Sequence, residues 1–130
     1  HVKNKIVPTL KNDKIIICDR FIDSTIAYQV YGKKVELKFI KNIHKKILQG
    51  VRPNIVFVLK VSNKSSRKRL KKRKTKNRYD KFAQTFYNKA QNSFIKIAKN
   101  KKNYFVLDSS NNDNSLEYKI FDICKKYLNI

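Results

Sequence analysis

Three short apolar runs punctuate this chain: "KIIICD" at residues 14–19, "IVFVLKV" at 55–61 and "YFVLD" at 104–108. Each is of strand length and lacks the polar alternation of a strand that faces water on one side. Such runs read as strands buried on both faces. Stretches of helical spacing separate them, too long for hairpins, so neighbouring strands should run parallel with helical crossovers. The expected fold is an α/β layer with a parallel sheet. With no internal repeat and no shift in composition, residues 1–130 read as a single domain.

Between the strands the spacing is specific. From Asp23 to about Tyr31 it is helical, with Asp23 or Ser24 as the cap and Gly32 as the stop. Val35, Phe39, Ile43 and Ile47 recur four apart and predict an amphipathic helix ending near Gly50. Residues 64–76 predict a basic helix and loop. A longer helix is expected over 79–99, with Phe82, Phe86, Ala90, Phe94 and Ile97 on one side. Leu116, Ile120, Ile123 and Tyr127 mark a terminal helix.

The 41% hydrophobic content is enough for a modest core, and the formal charge of +23 points first to nucleic acid. Most of that charge is Lys, however, and it is spread along the chain. Lys, Asn and Ile are abundant together, as A/T-rich coding favours. A solvated surface with some phosphate contacts accounts for the excess, and a nucleic-acid-binding module using the basic 64–78 cluster is the alternative. No apolar run approaches the roughly 20 residues of a membrane-spanning helix, and no secretory leader opens the chain. Cys18 and Cys124 lack CxxC or His spacing and read as buried small hydrophobes in a reducing cytoplasm. The first residue is His1 rather than Met, so the chain is expected to be part of something longer.

In open parallel sheets, ligands bind beyond the carboxyl ends of the strands. Asp19 and Arg20 follow the first run directly. A carboxylate there can hold magnesium, directly or through water, and the planar arginine fork suits a phosphate. A plain Asp19–Arg20 salt bridge is the alternative. Thr25 and Tyr28 are three apart and Gln29 is four from Thr25, so a helix would place them on one face. Hydroxyls, an aromatic plane and an amide can serve the edge and face of a pyrimidine; ordinary surface polars are the alternative. Arg69 and Arg73 are four apart in the second cluster. They can close over phosphates and neutralise charge during phosphoryl transfer, or simply form an exposed basic helix.

Taken together, these motifs resemble the thymidylate kinase family. "HVKNKIVPTLKNDKIIICDRFIDSTIAYQVYG" is similar to its segment of helix, Pro, apolar strand, Asp-Arg-aromatic motif and Ser/Thr…Tyr-Gln helix. "RPNIVFVLKV" resembles its next strand, "NRYDKFAQTFYNKAQNSFIKIAK" the helix after its lid, and "YFVLDSS" its last strand. The resemblance implies that Asp19 lies near magnesium and the phosphates, and that Arg20 contacts the thymidylate phosphate. It puts Thr25 and Gln29 toward the thymine and monophosphate, and Tyr28 near the sugar. Arg69 and Arg73 would border a lid at about 64–78. Arg78, Tyr79 and Asp80 match a motif usually written Asp-Arg-Phe-Glu, with Asn77 in place of its first acid and Asp80 in place of its Glu.

The implied fold is a P-loop NTPase-type three-layer sandwich with a parallel sheet, incomplete at its N-terminus. The implied activity is transfer of the γ-phosphoryl group of ATP to dTMP, giving dTDP and ADP with Mg2+, in dTTP biosynthesis. A related nucleoside or nucleotide kinase is the near alternative. The resemblance also implies a cytoplasmic homodimer built through helices near 22–49, with no membrane contact and no nucleic-acid partner. A GxxxxGK[ST] loop cannot form here, because the only glycines are Gly32 and Gly50. In the family the strand before that loop lies between those matching 14–18 and 54–60. A gap with exposed apolar edges is therefore expected, and the chain alone should be unstable and inactive.

Overall fold

The computed structural model describes residues 1–72, 84–111 and 113–128. The first helix, α1, is π-helical over Val2–Ile6 and α-helical over Val7–Leu10. Pro8 lies within this helix, at the second residue of its α-helical part, and has no backbone N–H to donate. Helix α2 reverses that order, α-helical over Ile22–Thr25 and then π-helical over Ile26–Gly32. There follow α3 (Leu37–Leu48), β1 (Val56–Lys60), α4 (Asn63–Lys72), α5 (Gln84–Ala98), β2 (Tyr104–Asp108) and α6 (Ser115–Leu128).

Strands β1 and β2 pair in parallel with Val56 opposite Tyr104 and Lys60 opposite Asp108. The ladder is closed at both ends: Val56 N–H donates to Asn103 O at 2.9 Å, and Ser109 N–H to Lys60 O at 2.8 Å. The Asn103 side-chain amide also donates to Pro53 O at 3.1 Å and Asn54 O at 3.0 Å. Helix α5 lies against both strands and against α2. Ala90 and Ser93 are buried on it, as is Ala98 near its end, and side chains this small let the backbone come close. Gln91 reaches the sheet, its Oε1 accepting the Val61 N–H at 2.8 Å.

Three expectations change on contact with the structure. Residues 14–18 are not a strand, and Ile15 and Ile17 are 73% and 96% exposed. A strand is defined by its neighbour, and among the described residues the sheet contains only β1 and β2. Cys18, expected inside, is exposed for the same reason. On α3 the buried residues are Ile40 and Leu48, while Phe39 and Ile47 are each 56% exposed. The inward stripe is thus one position away from the 35/39/43/47 series, because α1 and α2 lie against the Ile40 side. Helix α3 ends as expected, through left-handed Gln49 and then Gly50 at φ 86, a conformation that favours glycine.

Candidate functional site

Among the described residues, Arg20 is one of five non-glycine residues at positive φ, with Asp13, Lys34, Gln49 and Asn100; those four follow helices, whereas Arg20 precedes one. Its φ is 64, in the left-handed region, which costs an arginine about 1–2 kcal/mol. Phe21 then caps α2 through its backbone alone, with Ser24 N–H donating to Phe21 O at 3.1 Å. The cap is therefore neither Asp23 nor Ser24. The turn sends the Arg20 side chain along α2, where its guanidinium carbon lies 5.8 Å from the Tyr28 ring centroid. Tyr28 is held in turn by Phe86, stacked at 6.0 Å, and by Phe94, edge-on at 6.0 Å. Each such pair adds about 0.5–1.5 kcal/mol beyond its buried area. An arginine laid over a wedged tyrosine keeps its planar fork presented to an anion.

Thr25 and Gln29 are half-buried on the same helix. Between them α2 passes from α- to π-helical winding, so the three-and-four spacing no longer stacks residues as in a regular α-helix. Single π-helical turns occur often at functional sites. Asp19 is an exposed carboxylate beside the arginine. No cluster of three or more His, Cys, Asp or Glu capable of holding a metal occurs among the described residues. One carboxylate with water and phosphate oxygens still fits magnesium, which seldom uses an all-protein cage.

Asp23, read from sequence only as a cap, is buried and accepts a hydrogen bond from the Tyr104 hydroxyl at 2.8 Å. Burial first, then this bond, hold the Tyr104 phenol well above its ordinary pKa. His44 feels the same neighbourhood. Burial and then the Arg52 charge lower its pKa, with Asp23 opposing them. The pairing escaped the sequence reading because its partners are 81 residues apart.

A second group lies at the carboxyl end of the strand pair. Arg69 of α4 donates to Ser109 O at 2.5 Å and to Asn111 O at 3.3 Å. Ser62 N–H donates to Ser110 Oγ at 2.9 Å, and Ser110 N–H to Asp108 Oδ1 at 2.8 Å. The Ser110 hydrogen bonds, chiefly, hold the Asp108 carboxyl below its ordinary pKa, with Lys60 3.8 Å away adding less. The basic helix is thereby tied to the loop after β2. Arg20 and Tyr28 come together on one side of the molecule, and Arg69 belongs to this second group. Arg73, Arg78, Tyr79 and Asp80 lie outside the described residues.

Hollows of about 370 Å³ (Tyr31, Lys89, Asn92, Ser93, Lys96) and about 320 Å³ (Ile22, Arg52, Pro53, Lys101, Asn103, Tyr104) lie elsewhere on the surface. Neither is lined by Asp19, Arg20, Thr25, Tyr28 or Gln29.

Parallel strands separated by helices, with α5 packed on the pair, define an α/β protein of the parallel-sheet class. The thymidylate kinase family model matches residues 1–120. A thymidylate kinase of Wolbachia pipientis wMel is 45% identical over 98 residues, which are 75% of this chain and 48% of that protein. Another, from Wolbachia pipientis subsp. Culex pipiens, is 37% identical over 129 residues, covering 97% and 61%. The crystal structure of a thymidylate kinase from Ehrlichia chaffeensis superposes with a TM-score of 0.72 at 29% identity, covering 96% of this chain and 58% of that one. The chain belongs to the thymidylate kinase family and has its P-loop NTPase fold. It spans about half to three-fifths of the length of these relatives.

Proposed function

We propose that this chain is the acceptor- and lid-side part of an enzyme that phosphorylates dTMP with ATP. The observation that carries the reading is Arg20, held in a left-handed turn over a wedged Tyr28 within the Asp-Arg-aromatic motif. In this reading Arg20 grips the dTMP phosphate by charge-assisted hydrogen bonds. Tyr28, Thr25 and Gln29 set the sugar and base beside it. An oxygen of the dTMP phosphate attacks the γ-phosphorus of ATP, the bond to the β-phosphate oxygen breaks, and ADP leaves. Positioning and charge stabilisation supply the catalysis, with no covalent enzyme intermediate. Magnesium, when bound, offsets phosphate charge, and Asp19 would hold it directly or through water. Arg69, with Arg73 and Arg78, serves the transferring group; Arg69 must then exchange the carbonyls of Ser109 and Asn111 for phosphate oxygens. Tyr79 and Asp80 complete the acceptor side.

An ADP-release assay on the complete protein, comparing dTMP with dUMP, dCMP and dAMP at saturating Mg-ATP, tests this. Turnover is expected to be strongest with dTMP. A folded, ATP-binding protein that turns over none of the four would end the kinase reading.

The same proposal includes a cytoplasmic homodimer and excludes nucleic acid as the working partner. No described helix is long and apolar enough to cross a membrane. Phe39 and Ile47, exposed on α3 with Ile43 half-buried between them, support self-association through that helix. Placing a charge on this stripe with Phe39→Glu should convert a dimer to a monomer in sedimentation analysis, while Lys119→Glu, an exposed change on α6, should not. A Phe39→Glu protein that stays dimeric would move the interface elsewhere.

A further inference from the structure

Asp23 lies three residues beyond Arg20, in the first turn of α2, and only 9% of it is exposed. A carboxylate so placed needs a partner, and the Tyr104 hydroxyl supplies one at 2.8 Å. Tyr104 opens β2 in register with Val56. It is steadied by its own N–H to Lys101 O at 3.2 Å and by the Lys101 ammonium 4.1 Å from its ring centroid. The bond therefore joins the Arg20 turn to the regular part of the sheet. Among the described residues two other hydrogen bonds act on the turn, Cys18 Sγ to Arg20 O at 3.5 Å and Ser24 N–H to Phe21 O at 3.1 Å, and both are local. The Arg20 guanidinium over Tyr28 ties the turn to α2, but through the side chain rather than the backbone. A non-glycine residue keeps a left-handed conformation only where its surroundings dictate it.

We propose that the Asp23–Tyr104 hydrogen bond is the strut that fixes the Arg20 turn, which makes Asp23 and Tyr104 positioning residues for the acceptor phosphate. The phosphate half of that statement rests on the kinase reading; the strut itself concerns only the backbone. With the bond cut, Arg20 relaxes out of the left-handed region and its guanidinium leaves its place over Tyr28.

The test uses the complete protein with Tyr104→Phe, Asp23→Ala, the double variant and Asp23→Asn. Two readouts run together: the Arg20 φ derived from backbone chemical shifts, and steady-state kinetics with dTMP. Tyr104→Phe leaves a buried carboxylate without its donor, so the double variant, which removes both polar groups, carries the result if the single one folds poorly. Disrupting variants should move the Arg20 signals and raise KM for dTMP about tenfold, with kcat and KM for ATP within about threefold. Asp23→Asn keeps an acceptor for the phenol and should restore both readouts. Lower thermal stability with Arg20 signals and KM unchanged would reduce the bond to a structural contact and overturn the proposal. A wild-type protein without turnover would remove the kinase reading alone, because the Arg20 signals still decide the strut.

Discussion

In the complete form of the proposed kinase, Arg20→Ala is expected to lower kcat/KM for dTMP by roughly 30- to 1,000-fold, with KM for ATP nearly unchanged. The estimate takes about 2–4 kcal/mol for losing charge-assisted hydrogen bonds to a phosphate, at 1.4 kcal/mol per decade. Arg20→Lys keeps the charge but not the fork, and should fall between the two. The informative variant is Arg20→Gly. It removes the same guanidinium and should be as inactive as Arg20→Ala. It also relieves a φ of 64, so it should be more stable than wild type by about 1 kcal/mol. Activity and stability then move in opposite directions at one position, as expected where strain serves a site. Full turnover by Arg20→Ala would remove the arginine from the chemistry.

The second large effect concerns the chain taken by itself. Ile15 and Ile17 stand 73% and 96% exposed, and among the described residues β1 is paired with β2 alone. Leu59 and Val106 are exposed on that sheet as well, at 49% and 41%. Each isoleucine forgoes about 1.5–3 kcal/mol of burial, and a free strand edge is a template for pairing with another chain. The 130-residue chain should therefore self-associate at micromolar concentration, seen as light scattering that grows with concentration, and should lack a cooperative thermal transition. Replacing Ile17 by Lys should reduce that scattering in the isolated chain. In the complete protein, where this side chain is expected to be covered, the same change should cost about 2–3 kcal/mol of stability. A monodisperse isolated chain with one sharp transition would show that the exposed edge needs no cover.

How far the sequence could be read follows from where each signal is stored. Helices α2, α3, α5 and α6 and the strands at 56–60 and 104–108 were legible because their spacing is local, whereas α4 was read from its basic run and α1 only through the resemblance. The run at 14–18 misled for an equally physical reason: its composition is that of a buried strand, but burial depends on a neighbour that the run does not contain. The stripe on α3 was displaced by one position because spacing four apart drifts around a helix of 3.6 residues per turn. The chosen side then depends on what packs there. At the site, Arg20 and Tyr28 were legible as a motif, and the structure adds that one lies over the other. The left-handed turn left no mark, since nothing in the residue type arginine announces a positive φ. The Asp23–Tyr104 pair was invisible, because each half has an ordinary local explanation, as a helix cap and as a strand residue.

The Asn103 amide, which spans the carbonyls of Pro53 and Asn54, acts as a gauge of strand register. It closes a loop of 50 residues at the amino end of the strand pair. The entropy of closing such a loop grows slowly with length and is met once. After that, the pairs from Val56–Tyr104 to Lys60–Asp108 can form in succession with no further closure. A slip by one residue would turn every side chain to the wrong face and leave that amide without its acceptors. Register is thus checked at the amino end by this amide and at the carboxyl end by the Ser62–Ser110 and Arg69–Ser109 bonds, so a slipped pairing loses contacts at both.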